Sequence, residues 1–173
     1  STDSWSVVEA DLRKYLSIGA THTFRHRVLA LDFWTAGSPT WQVIQTPNGP
    51  GIDGRPPSYQ GASLGGFDRL KAYPQYRYSD KAAIYYAAEL RLIPKWNPLG
   101  DMKLLKFLDI DWWQFVPFVE VGRVAPQWSL SELMSDMKWG VHGTKSRISD
   151  RYGGHGRRLV HMGNGGTTIL ILN

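Results

Sequence analysis

The sequence predicts an all-β protein built from antiparallel strands. Several stretches alternate apolar and polar side chains with a period of two, as expected of strands. Trp and Tyr, which favour strands, are abundant at eight each in 173 residues. Gly- and Pro-rich segments separate the alternating stretches. A chain of this length suits a single domain with its own core.

The first two predicted strands run from Trp5 to Leu16 and from Phe24 to Trp34. Each has one apolar side and one polar side, which carries Glu9, Asp11 and Arg13 in the first strand and His26 and Asp32 in the second, with Arg25 and Arg27 near the entry of the second. The apolar sides hold Val8, Ala10, Leu12 and Leu16 in the first strand, and Leu29, Leu31 and Phe33 in the second. Residues Ala36 to Gly66 follow, rich in Gly, Pro, Ser, Asn and Gln. This composition predicts a long, structureless surface loop, which is uncommon in a compact domain unless it is functional.

Two further strands are predicted from Ala82 to Ile93 and from Trp113 to Val124. Each carries one Glu on its polar side, Glu89 in the first and Glu120 in the second. The intervening segment could hold a short helical turn around residues 102–108. Residues 129–137 have some helical spacing, and whether a strand resumes over Lys138 to His142 is left open.

The charge of the chain is concentrated near its end. Ser1 to Met137 holds 14 Lys and Arg against 14 Asp and Glu, so the net charge of +5 arises after Met137. We therefore divide the chain into residues 1–142 and an atypical basic, Gly-rich tail at 143–173. This irregular tail is interpreted as a divergent extension, a disordered segment or the product of a reading-frame shift after Val141.

No pattern for catalysis or cofactor binding is found. The chain has no Cys, and His142, His155 and His161 lie in the Gly-rich tail without acidic partners, so no metal site is predicted. Neither a phosphate-binding loop nor a nucleophile elbow is present. We expect a non-enzymatic protein without cofactors that does not bind nucleic acid, the basic tail being a solvated one.

Alternating strands with charges on one side suit two environments. In a soluble sandwich the charged side faces water. In a transmembrane barrel it faces a watery lumen, and Trp and Tyr gather near the strand ends. Trp5, Trp34, Trp96 and Trp113 lie near predicted strand ends. No run reaches the roughly 18–20 apolar residues of a membrane-spanning helix, whereas barrel strands need only about 9–11.

Three separated motifs carry a resemblance to a known family. LGGFDRLKAYP at Leu64–Pro74, the run AAIYYAAELR and the run FVPFVEVGRV resemble, in order and spacing, the bacterial surface antigen family of BamA- and TamA-type barrels. The resemblance implies an outer-membrane β-barrel of a Gram-negative type of cell, with a long extracellular loop. It also implies a role in inserting or translocating proteins, with outer-membrane lipid and client proteins as partners. It implies no particular oligomeric state.

The same resemblance implies a loop-to-lumen lock, in which a loop cation folds into the barrel and pairs with acidic wall residues. The matching positions are Lys71, Ala72 and Tyr73 in the loop, Glu89 and Glu120 on the wall, and the motif glycines Gly65, Gly66 and Gly122. The family's Arg is Lys71 here and its Gly is Ala72, so a forked donor and the freest backbone residue are both lost. The family's Asp is Glu120, whose extra methylene offsets the lack of a fork.

The number of strands limits this interpretation. Four good strands are predicted, whereas a closed outer-membrane barrel needs at least about eight. The expectation is therefore a partial barrel, the C-terminal part of a longer one. The alternative is a soluble antiparallel β-domain that binds a ligand or protein partner through its long Pro/Gly-rich loop. A secreted hydrolase is a weaker third hypothesis, because no acid–base or triad site is found.

Overall fold

A computed structural model describes residues 4–97, 110–150, 157–162 and 167–171, with side chains described for residues 4–97 and 113–138. The fold is mostly antiparallel β-sheet with one short helix in the described residues, which confirms the all-β class. The elements are β1 (Val8–Ser17), β2 (Phe24–Gly37), β3 (Gln42–Thr46), β4 (Gly49–Asp53), β5 (Ser63–Leu64), β6 (Tyr78–Ser79), β7 (Ala82–Pro94), β8 (Ile110–Ala125), α1 (Leu130–Met134), β9 (Lys138–Asp150), β10 (Arg157–Met162) and β11 (Thr167–Ile171).

Seven strands form the main sheet in the order β1-β2-β7-β8-β9-β10-β11. Four of these strands, β1, β2, β7 and β8, correspond to the four strands that the alternating sequence pattern predicts. Within the described part of the chain the sheet is open, with β1 and β11 at its two edges, and no closed barrel is found. No helix in the described residues combines the length and the apolar character of a membrane span.

The chain forms two compact units, and each long strand contributes residues to both. The first unit comprises Ser1–Leu12, Asp32–Tyr86 and Glu120–Gly140. The second comprises Arg13–Leu31, Ala87–Val119 and Val141–Asn173. The long loop between β2 and β7 belongs wholly to the first unit, and so do the residues discussed below as a site, apart from Glu89.

The expectation of a structureless loop over Ala36 to Gly66 is wrong in part, because β3 and β4 form an antiparallel hairpin there. Val43 pairs with Ile52 and Thr46 with Gly49 across a two-residue turn. Gly49 has φ +110°, a conformation that glycine adopts readily, and the Thr46 hydroxyl donates to its carbonyl at 2.6 Å. Part of this Gly- and Pro-rich segment is therefore a β-hairpin, in which turn residues connect β3 to β4.

The helical spacing after β8 corresponds to one short helix, α1. Its Leu133 side chain is buried and packs with Ala82, Ile84 and Ala125 in a small apolar cluster. The chain then reverses at Asp136, which has φ +45°, and β9 begins at Lys138. Lys138 donates to the Asp136 carboxylate and lowers the pKa of that carboxyl below its usual value.

The expectation of an irregular tail is also wrong for the described residues beyond position 142. β9 continues to Asp150, and β10 pairs antiparallel with both β9 and β11. The β-branched run TTILI of β11 has the side chains that strands favour, although it is too short to show a clear period. The division at residues 142 and 143 falls inside β9, and the proposed origin of the tail stays a prediction.

Two sequence expectations concern residues or side chains that the structure does not describe. The helical turn around residues 102–108 lies outside the described residues. The side chains of His142, His155 and His161 do as well.

Candidate functional site

The LGGFDRLKAYP motif forms a compact docked loop, defined here as residues 65–77. Its base is a two-residue ladder in which Ser63 pairs with Ser79 and Leu64 with Tyr78. Inside the loop the Gly65 amide donates to Arg69, and the Gly66 amide donates to Tyr73, each at 3.0 Å. These bonds satisfy the backbone locally, so the loop has a defined shape of its own.

The motif glycines are required by the backbone path of the docked loop. Gly65 and Gly66 both have φ +109°, where other residues are strained. A Cβ atom on Gly65 would lie 2.3 Å from the Pro74 carbonyl oxygen. Two non-glycine residues of the docked loop are left-handed, Leu70 with φ +53° and Tyr76 with φ +54°, whereas Ala72 is exposed and is not among the positive-φ residues. An alanine at position 72 therefore fits the backbone of the docked loop.

An apolar contact seats the docked loop on β8. The side chains of Leu64 and Leu70 are 1% and 0% exposed. They lie over Gly122, where a Cβ atom would be 2.9 Å from Leu64 Cδ1 and 3.4 Å from Leu70 Cδ1. The absence of a side chain at Gly122 thus creates the flat surface on which the loop packs.

Glu120 is the polar centre of the site. Its side chain is fully buried, and its carboxylate accepts hydrogen bonds from the Lys71 backbone amide at 2.9 Å and from the Tyr85 hydroxyl at 2.9 Å. The Lys71 ammonium forms an ion pair with the same carboxylate and also donates to the Asp68 carbonyl at 3.3 Å. Glu120 and Tyr85 belong to neighbouring strands, so the docked loop is held by a carboxylate that the sheet itself orients.

Burial makes this contact consequential for stability. Moving a carboxylate out of water costs free energy unless the carboxylate is paired and hydrogen-bonded. Removing one partner therefore destabilises the fold, because the other charge stays buried without compensation. The side chain of Lys71 is only 12% exposed. Because three donors surround Glu120 and no solvent reaches it, the arrangement suits anchoring of the loop and not attack on a substrate.

We predict that Tyr85→Phe lowers the free energy of unfolding by about 1.5–3 kcal/mol, because a buried hydrogen bond to a charged acceptor is lost. Tyr85 is 1% exposed, and the ring itself would stay in place. Urea denaturation measures the effect. Tyr86→Phe is the matched control, since the Tyr86 hydroxyl has only a 3.8 Å contact to Met134 Sδ at an exposed position. Equal stability of the two variants would contradict the prediction.

The remaining predicted site residues lie in different surroundings. Tyr73 packs edge-on against Tyr78, with ring centroids 5.2 Å apart. Glu89 belongs to the second unit, where its carboxylate pairs with Arg91 of the same strand at 3.1 Å. The structure thus brings Lys71 to Glu120, while the predicted pairing of Lys71 with Glu89 stays a prediction, as does the role of the whole set as a lumen lock.

Arg69 is a second anchor that the sequence analysis missed. Its guanidinium lies over the Trp34 ring, 3.9 Å from the centroid, and 3.8 Å from the Asp11 carboxylate. The Trp34 indole in turn donates to Glu9 at 3.2 Å. The available signal was a second loop cation two positions before Lys71, together with the acidic residues on the polar side of the first strand.

No protein-family model matches the sequence, and no curated protein or solved structure is significantly similar to the chain. In the described residues, no group of three or more His, Cys, Asp or Glu side chains is arranged to hold a metal ion.

Proposed function

We propose that the chain is the C-terminal part of an outer-membrane β-barrel of the bacterial surface antigen type, acting in the insertion or translocation of proteins at that membrane. The observation that carries the proposal is the contact of the loop cation Lys71 with the buried strand carboxylate of Glu120. In this proposal the docked loop occupies the lumen, and outer-membrane lipid surrounds the opposite face of the sheet.

The two sides of β8 support this assignment. The side that carries Glu120 is covered, and its members Gln114, Val116, Phe118 and Gly122 are buried. The other side is apolar and more open, with Phe115, Pro117 and Val121 partly exposed and Val119 41% exposed. In this proposal the open apolar side of β8 faces lipid, and the covered side, which holds Glu120 and Gln114 together with the apolar Val116 and Phe118, faces the interior.

The membrane assignment has a direct test. We expect the full chain to remain with vesicles of bacterial outer-membrane lipids after an alkaline carbonate wash. We also expect it to migrate differently on SDS gels before and after heating, because a folded membrane sheet resists the detergent until heated. A matched vesicle-free sample gives the control. Recovery of a monomeric, folded chain in detergent-free buffer, with carbonate-extractable binding, would contradict the assignment.

A second candidate function is a soluble β-domain that binds a ligand through the long loop before β7. The observation in its favour is a cleft in the first unit to which Tyr59, Gln60 and Ser63 of that loop contribute. The vesicle experiment separates the two candidates, because only the membrane protein needs lipid to remain monodisperse.

A further inference from the structure

A cleft of about 410 Å³ opens in the first unit between the start of the chain, the end of β2 and the docked loop. Its volume lies within the range of about 300–1,000 Å³ that is typical of small-molecule sites. Four aromatic side chains line it, namely Trp5, Trp34, Tyr59 and Tyr76. The Lys71–Glu120 contact, which anchors the docked loop, does not explain why four aromatic side chains lie around this cleft.

Three of the rings are open to solvent. Trp5 is 38% exposed, Tyr59 65% and Tyr76 40%. The fourth, Trp34, is buried and carries the Arg69 guanidinium on its face. Large exposed aromatic surfaces gathered at one cavity indicate a binding site, because single exposed apolar residues are scattered elsewhere on a protein surface.

The backbone holds two of these rings in defined positions. Tyr59 lies in a tight turn where the amides of Gln60 and Gly61 both donate to the Pro57 carbonyl at 2.9 Å. Tyr76 has φ +54°, and its amide donates to the Gly65 carbonyl at 3.2 Å. A bulky residue in this conformation is strained, and such strain concentrates at ligand clamps. The backbone that carries the two rings is thus held in place, which lowers the entropic cost of ordering the loop on binding.

The polar groups of the cleft define what it accepts. Glu9 and Asp68 contribute two carboxylates, Arg69 one guanidinium and Gln60 one amide. Two negative charges against one positive charge disfavour phosphate and carboxylate ligands. Carboxylates accept hydrogen bonds, guanidinium donates them and the amide does both. This set matches a ligand whose rim carries many hydroxyl groups.

We propose that the cleft binds neutral sugar residues of a glycan. The C–H face of a pyranose ring would lie on the open aromatic rings, and its hydroxyl groups would bond to the polar side chains around them. The sugar-binding proposal does not depend on the membrane assignment. All residues that line the cleft belong to the first unit, and none of them has to face lipid for a sugar to bind. It assigns a ligand class to residues outside the Lys71–Glu120 contact.

Saturation-transfer difference NMR on the full chain, in buffer or in a detergent without a sugar headgroup, tests the proposal. The probes are maltotriose, cellotriose and N-acetylchitotriose as neutral sugars, and tetramethylammonium as a small cation. We expect saturation transfer to at least one trisaccharide. Tyr59→Ala is expected to weaken that binding about tenfold, because one of the rings that would contact the sugar is removed.

Two comparisons keep the result interpretable. Trp96→Ala removes an aromatic residue that is 55% exposed but lies outside the cleft, and binding is expected to be unchanged. Gln60→Ala removes a polar group from the cleft at an exposed position and is expected to weaken sugar binding without disturbing the core. Transfer to none of the sugars, sugar binding unaffected by Tyr59→Ala, or transfer to tetramethylammonium alone would each overturn the proposal.

Discussion

Replacing Glu120 by Leu is expected to lower the free energy of unfolding by about 3 kcal/mol, because removal of one partner leaves a buried charge unpaired. The Lys71 ammonium, the Lys71 amide and the Tyr85 hydroxyl would all lose their shared acceptor. Urea denaturation measures the loss of stability. Trypsin, which cuts after Arg69, Lys71 and Arg77, reports separately on whether the docked loop opens.

Controls distinguish loss of the ion pair from a general effect of core substitution. Glu120→Gln keeps an acceptor for the Tyr85 hydroxyl and is expected to cost less than Glu120→Leu. Glu89→Gln changes a carboxylate whose described partner is Arg91, and trypsin cleavage of the docked loop is expected to be unchanged. If Glu120→Leu left both the urea midpoint and the cleavage rate at their original values, Glu120 would not anchor the loop.

A double variant shows whether Lys71 and Glu120 stabilise the docked loop through their interaction with each other. Lys71→Met combined with Glu120→Leu removes both charges and keeps apolar volume, and such replacements of buried pairs are often neutral. We expect the double variant to be more stable than Glu120→Leu alone. With Lys71→Met as the second single variant, the cycle gives the coupling energy of the pair. Strictly additive losses would indicate that Lys71 and Glu120 act independently.

The second large effect is expected for Gly122→Val. The new side chain would meet Leu64 Cδ1 and the Ile84 carbonyl oxygen, since even its Cβ would lie 2.9 and 3.0 Å from them. Overpacking of this kind costs about 1–3 kcal/mol. The backbone carbonyl has little room to move, so we expect the docked loop to lift from β8. Urea denaturation and trypsin cleavage measure the two consequences.

Gly37→Ala is the matched control for a glycine within a strand. A Cβ atom there would be 3.6 Å from the Trp128 ring, an ordinary contact distance. We expect Gly37→Ala to be tolerated and Gly122→Val to accelerate cleavage at the docked loop. Equal protection from trypsin in the two variants would show that the loop does not depend on the flat surface at Gly122.

Much of the site geometry follows from strand periodicity. Because side chains alternate along a strand, the sequence placed Glu120 on the polar side of β8 with Gly122, and Tyr85 with Glu89 on the polar side of β7. It also marked Lys71 as the cation of a Gly-rich turn. The sides of the strands follow from the local period alone, whereas the role of Lys71 as the loop cation was implied by the resemblance of the loop motif.

Other features depend on how distant segments meet. The sequence offered Glu89 and Glu120 equally to Lys71, and the structure describes the contact with Glu120. The Arg69–Trp34 stack joins residues that are far apart in the chain, so no local period predicts it. The positive-φ residues of the docked loop other than glycine are Leu70 and Tyr76, and Ala72 is not among them. Neither residue type favours this conformation, so the sequence does not mark these two positions.

The sequence by itself determined the antiparallel all-β class, the polar and apolar sides of four strands and the loop motif, since these follow from local alternation and glycine conformation. The contact of Lys71 with Glu120, and the pairing of the segment after position 142 as β9, β10 and β11, come from the tertiary structure. It also decided which aromatic rings gather at the cleft beside Tyr59. These outcomes depend on strand order and loop packing, which involve contacts between residues far apart in the chain.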